Sequence, residues 1–168
     1  MEEIVFGIDP GKTGAIAIID CRNHNAEVHD MPIDAEGRVD ARELHTFFSS
    51  VKQIDFKVTC FIEKSQALPR QGVTSTFNYG VTYGITLACL QNAAIPFQEI
   101  RPQRWKKEFM LIKKDKKDSV AAAIKLFPYL GDQLKRKKKR GEKGFVYEDG
   151  RAEALLIAEY CRRICNGR

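Results

Sequence analysis

Ile4-Val5-Phe6-Gly7-Ile8-Asp9-Pro10-Gly11-Lys12-Thr13-Gly14-Ala15-Ile16-Ala17-Ile18-Ile19-Asp20 is the stretch that decides the fold. An apolar run ends on a carboxylate, Asp9. A turn rich in Pro and Gly follows, and a second apolar run begins at Gly14. Residues 3–9 read as a buried strand and 14–20 as a second, so 3–20 is expected to form a hairpin. An aspartate at the end of a buried strand is costly unless something offsets its desolvation.

Three further carboxylates stand at comparable points. Glu63 closes the run Val58-Thr59-Cys60-Phe61-Ile62-Glu63. Asp149 and Glu153 open the last apolar helix, Asp149-Gly150-Arg151-Ala152-Glu153-Ala154-Leu155-Leu156-Ile157-Ala158. A divalent cation is the natural partner for such a set, because Mg²⁺ takes hard oxygen ligands and often substrate phosphate. The charge pattern agrees. The 168 residues carry a net +6, but residues 101–143 hold 16 Lys/Arg against 5 Asp/Glu, so +11, and the remainder is −5. A basic segment beside an acidic body suggests a polyanionic partner, with a solvated surface as the alternative. An acidic centre in basic surroundings is what a metal-dependent nuclease needs.

Other signals set bounds. The cysteines lie at 21, 60, 89, 161 and 165, an odd number with no CxxC spacing, which points to a reducing compartment. Neither a signal or transit peptide nor a membrane-length apolar stretch is read, so the expectation is cytoplasmic, not secreted and not membrane-bound. Along the chain, 25–31 reads as a strand, and Asp40 caps a helix to about 52, with Glu43 at the capping-box position. A strand at 57–63, a loop at 66–73 and a long helix at about 74–93 follow. The small and apolar residues of that helix suggest burial on more than one side. A strand at 95–100, helices near 102–109 and 116–127, a mobile basic loop at 132–146 and a helix from about 150 complete the order. One domain, 1–168, is expected: an α/β fold with a mixed five-stranded sheet flanked by helices.

These residues resemble a known family. Gly7-Ile8-Asp9-Pro10-Gly11 with Gly14-Ala15, Phe61-Ile62-Glu63-Lys64, Gly80-Val81-Thr82-Tyr83-Gly84, Lys117-Asp118-Ser119-Val120 and Asp149 to Ala158 are similar, in order, to the motifs of RuvC-type Holliday junction resolvases. Those enzymes belong to the ribonuclease H-like superfamily. The bacterial enzymes typically close with two aspartates three apart. Here Asp149 and Glu153 are four apart, which resembles the phage and organellar branch. The pair shares a helix face, yet Asp149 at the helix start could serve as a cap instead.

The resemblance implies a homodimer that cuts four-way DNA junctions by paired symmetric nicks, leaving 5′-phosphate and 3′-hydroxyl. Two Mg²⁺ per site are implied, with Mn²⁺ able to substitute. Asp9 would bridge both ions, Glu63 would hold one, and Asp149 with Glu153 the other. Lys117 would face the scissile phosphate, although Lys113, Lys114 and Lys116 are equally available as a basic face. The long helix is the expected dimer interface. No branch-migration partner can be named.

Further DNA contacts are expected from Lys135, Arg136, Lys137, Lys138, Lys139 and Arg140, a run suited to phosphates and not to bases. A solubilising loop or a nuclear localisation signal is the other reading of that run. Leu68 could wedge at a junction centre, and Arg70 and Gln71 could touch bases, or all three could be ordinary loop residues. Phe77 and Tyr79 are expected in the core or at the interface. Trp105 is expected to pack with its indole nitrogen bonded at an edge, and His24, His29 and His45 to lie at the surface. A less selective ribonuclease H-like nuclease on branched DNA or RNA–DNA hybrids, and a non-catalytic junction binder, are the competing functions.

Overall fold

Five strands form one mixed sheet. The computed structural model describes residues 2–52, 56–64, 66, 72–138 and 142–167, with 2, 52 and 136 described by backbone alone. The chain runs β1 (Glu2–Asp9), β2 (Ala15–Asp20), β3 (Ala26–Asp30), α1 (Ala41–Lys52), β4 (Phe56–Glu63), α2 (Val73–Asn92), β5 (Phe97–Ile100), α3 (Pro102–Glu108) and α4 (Lys116–Leu126). A short α5 (Gly131–Leu134), β6 (Lys135–Lys137), β7 (Phe145–Tyr147) and α6 (Asp149–Cys165) follow. The strand order is β3-β2-β1-β4-β5. β1 pairs antiparallel with β2 and parallel with β4, and β4 pairs parallel with β5. Among the described residues no helix is long and apolar enough to cross a membrane.

Strand alternation divides the core into two layers. Ile4, Phe6 and Ile8 of β1 and Val58, Cys60 and Ile62 of β4 pack with Leu44, Phe48 and Leu90 of α1 and α2. Val5 and Phe61 face the opposite side, with Trp105, Val120, Leu155 and Ala158 of α3, α4 and α6. The same period turns Asp9 and Glu63, the last residues of two adjacent parallel strands, towards the α6 side.

Glycines bring α6 against that face. A Cβ built on Gly7 would lie 2.1 Å from the Ala158 amide nitrogen and 2.3 Å from the Ala154 carbonyl oxygen. One built on Gly150 would lie 2.2 Å from the Thr13 carbonyl oxygen, in the β1–β2 turn. Backbone against backbone leaves no flexible group to yield. Gly7→Ala should therefore lower stability by roughly 2–3 kcal/mol, read as a shifted urea midpoint at unchanged slope. An unshifted midpoint would contradict this packing.

Two expectations need correction, and one surface histidine has a partner that the sequence did not foretell. The segment 132–146 is not simply a loop. β6 and β7 form an antiparallel hairpin in which the Lys135 ammonium lies 4.3 Å from the Phe145 ring centroid and 5.6 Å from that of Tyr147. Cation–π contacts of this kind hold a basic strand on an aromatic one. The helix α2 is not buried on more than one side. Its buried residues are Thr82, Thr86, Cys89 and Leu90, whereas Val73 and Phe77 are 86% and 70% exposed, so Phe77 is not a core residue. His24 is only half exposed. Its Nε2 stands 3.0 Å from Oε2 of the buried Glu159, which also accepts from Arg162 and Arg163.

Candidate active site

Asp9, Asp149 and Glu153 line one cleft of about 930 Å³. Its walls include Lys12, Arg38, Phe77, Tyr79, Lys106, Lys114, Lys116 and Ser119. Glu63 lies behind this lining at the end of β4, where its Oε2 accepts a 2.8 Å hydrogen bond from Trp105 Nε1. Three separate elements thus deliver the carboxylates: β1, β4 and α6.

The cleft is short of counter-charge at its centre. Burial, followed by repulsion from Glu63 and Glu153, pushes the Asp9 carboxyl up to about 7; Asp149 adds to the rise, and the Gly11 amide opposes it. Burial also raises Glu63, against the pull of Trp105 and Lys106. Further out, lysines answer the acids. Lys116 Nζ donates to Asp149 Oδ2, and Lys106 Nζ lies 3.5 Å from Glu153 Oε1. The Ser119 hydroxyl also donates to Glu153 Oε1, at 3.5 Å.

Local structure aims Lys116. Asp115 caps α4, accepting from the Lys117 and Asp118 amides, while the Asp118 side chain accepts from the Asp115 amide. This capping box sets the first turn, so that Lys116 reaches Asp149 while Lys117 Nζ turns to the Tyr147 ring, 5.6 Å from its centroid. The structure therefore sets Lys116 at the cleft where the sequence singled out Lys117. Nor does Asp149 serve as the α6 cap: Glu148 holds that position and makes no side-chain capping bond.

The donor set suits a hard divalent cation, because mutually repelling carboxylates around a partly buried aspartate gain most from one. Among the described residues no group of three acidic, histidine or cysteine side chains is arranged to hold a metal ion as it stands. Lys106 and Lys116 occupy two of the carboxylates in that arrangement.

The other expected site residues fall as follows. Lys114 lines the cleft, and Lys113 is exposed with a positive φ of 59°. Lys135, Lys137 and Lys138 belong to the β6–β7 hairpin or its tip. Leu68, Arg70, Gln71, Lys139, Arg140 and the side chain of Arg136 lie outside the described residues. Lys106, Ser119, Arg38 and the link from Trp105 to Glu63 were not singled out by the sequence. The nearest signal was the Trp105-Lys106 pair just after Pro102.

No protein-family model matches the chain, and no curated protein matches it. Solved structures do. RuvC of Thermus thermophilus in complex with its Holliday junction substrate superposes with a TM-score of 0.61 at 18% identity, over 98% of this chain and 96% of that one. A further structure of Thermus thermophilus RuvC gives 0.57 at 18% identity, over the same shares. The yeast mitochondrial Holliday junction resolvase Ydc2 gives 0.50 at 12% identity, over 96% and 82%.

The chain has the RuvC fold. Within the RuvC fold seen here, the acidic cleft opens where β1 and β4 end beside the start of α6. The five-stranded mixed sheet with helices on both faces agrees with the ribonuclease H-like architecture expected from the sequence.

Proposed function

We propose that the protein is a metal-dependent endonuclease that resolves four-way DNA junctions. The observation that carries this reading is the gathering of Asp9, Glu63, Asp149 and Glu153, from three elements, around one lysine-walled cleft. Solved structures similar to it in fold are named as RuvC and as a mitochondrial Holliday junction resolvase, one of them in complex with junction DNA.

Asp9, Glu63, Asp149 and Glu153 would hold two Mg²⁺, or Mn²⁺ in their place. Bound there, the ions would supply an activated water and neutralise charge on the attacked phosphate. The chain's own groups do the rest. Asp9 fixes the floor of the cleft. Lys116, in place of Lys117, and Lys106 offer ammonium groups to the phosphodiester once their carboxylates are engaged elsewhere. The first turn of α4 favours an anion at the same wall. Lys114, Lys135, Lys137 and Lys138, with Lys113, Arg136, Lys139 and Arg140, would follow the backbone of the junction arms. Leu68, Arg70 and Gln71 are proposed to reach the junction centre.

Paired symmetric nicks call for two sites related by a two-fold axis, so a homodimer belongs to this reading. Support comes from α2, which exposes Val73, Phe77 and Val81 and has open space around Gly80 and Gly84. The test is nicking of a labelled four-way junction and of linear duplex in Mg²⁺. Nicks in the junction at symmetry-related positions, with 5′-phosphate ends, are expected. Equal cutting of both substrates would instead make it a less selective nuclease, and tight binding without cutting a junction-binding protein.

A further inference from the structure

Trp105 is the only tryptophan in the chain, and it is fully buried. Its indole nitrogen can only donate, and its acceptor is Oε2 of Glu63 at 2.8 Å. The last torsion of a glutamate is otherwise broad and roughly two-fold. A fixed donor on Oε2 selects one orientation and leaves Oε1 for another partner. The next residue, Lys106, places its ammonium 5.0 Å from the Trp105 ring centroid and 3.5 Å from Glu153 Oε1. Consecutive residues of α3 thus hold carboxylates that arrive from β4 and from α6.

We propose that Trp105 is a positioning residue, which orients Glu63 for a divalent cation through the Nε1–Oε2 hydrogen bond. The proposal rests on the reading of Glu63 as a cation ligand. Carboxylates that bind metals are commonly held by an outer hydrogen-bond partner, and loss of that partner typically weakens metal affinity by about 10–100-fold. A purely structural tryptophan would instead affect stability and leave cation affinity alone.

Trp105→Phe keeps an aromatic ring and deletes the donor. Mn²⁺ binding measured by titration calorimetry should weaken by roughly tenfold or more. The Mg²⁺ concentration for half-maximal junction nicking should rise by a similar factor, with the deficit recovered as Mg²⁺ is raised. Mn²⁺ affinity within about twofold of the parent, in a folded variant, would overturn the proposal. The unaltered protein supplies a second measurement that does not depend on the variant folding. A single tryptophan gives one indole ¹H–¹⁵N resonance, and MgCl₂ should shift it saturably, with the shift lost in Glu63→Gln. An indole signal unmoved by MgCl₂ overturns the proposal. The two readings also separate: an indole response without nicking removes the resolvase and retains the role of Trp105, whereas nicking with an unmoved indole does the reverse.

Discussion

Asp9→Asn should lower the rate of junction nicking by roughly a thousandfold or more, while making the metal-free protein more stable at pH 8. Both effects come from one cause. Asp9 sits at the centre of the carboxylates, and burial plus the repulsion of Glu63, Glu153 and Asp149 raises its carboxyl to about 7 from an ordinary 3.8. A group raised in the folded state contributes its stability below its unfolded value and loses it as pH rises through the folded one. The metal-free protein should therefore lose stability between about pH 4 and pH 7, by up to about 4 kcal/mol for a shift of this size. Asparagine has no charge to bury. Its variant should unfold at a higher denaturant midpoint than the parent at pH 8, and near the same one at pH 4. Added Mg²⁺ should close the gap at pH 8 by stabilising the parent. A variant that nicks junctions normally, or a parent equally stable at pH 5 and pH 8, would contradict this account of the cleft.

The second large effect concerns Glu159, far along α6 from the cleft. It is 1% exposed, yet it is ionised among Arg162, Arg163 and His24. Burial opposes its charge, but the hydrogen bonds from Arg162, Arg163 and His24 outweigh it and hold the carboxyl down at about 2. Glu159→Gln removes the charge that two guanidinium groups are built around. The expected cost at pH 7 is roughly 3 kcal/mol, because breaking a buried pair from one side strands the other. The stabilisation is present above the ordinary value near 4.5 and is lost as pH falls through about 2, so the difference between variant and parent should narrow over that window. Urea titrations at pH 7 and pH 2 check both the size and the sign. A constant difference at the two pH values would mean that packing, and not charge, explains the cost.

The legible parts of this chain were those set by local pattern. Apolar runs that end in Asp9 and Glu63 read directly as strand ends, and the two-residue period aims both carboxylates at one face. The α6 start was legible because Asp149 and Glu153 precede a long apolar stretch. Which lysine meets the cleft was not, since it depends on where the first turn of α4 begins. The capping box of Asp115 and Asp118 fixes that start, and each residue along the turn rotates the side chain by about 100°, which parts Lys116 from Lys117. The bond between Trp105 and Glu63 spans 42 positions, and no local pattern announces such a pair. The β6–β7 hairpin was hidden for another reason. A lysine-rich strand looks like a loop until the aromatic rings of Phe145 and Tyr147 are seen beneath Lys135.

Anomalous diffraction from crystals grown with Mn²⁺ would locate the ion. Anomalous density is expected between Asp9, Glu63, Asp149 and Glu153, with Lys106 and Lys116 withdrawn from their carboxylates. Density absent from the cleft at saturating Mn²⁺, with both lysines still paired to Glu153 and Asp149, would contradict that expectation.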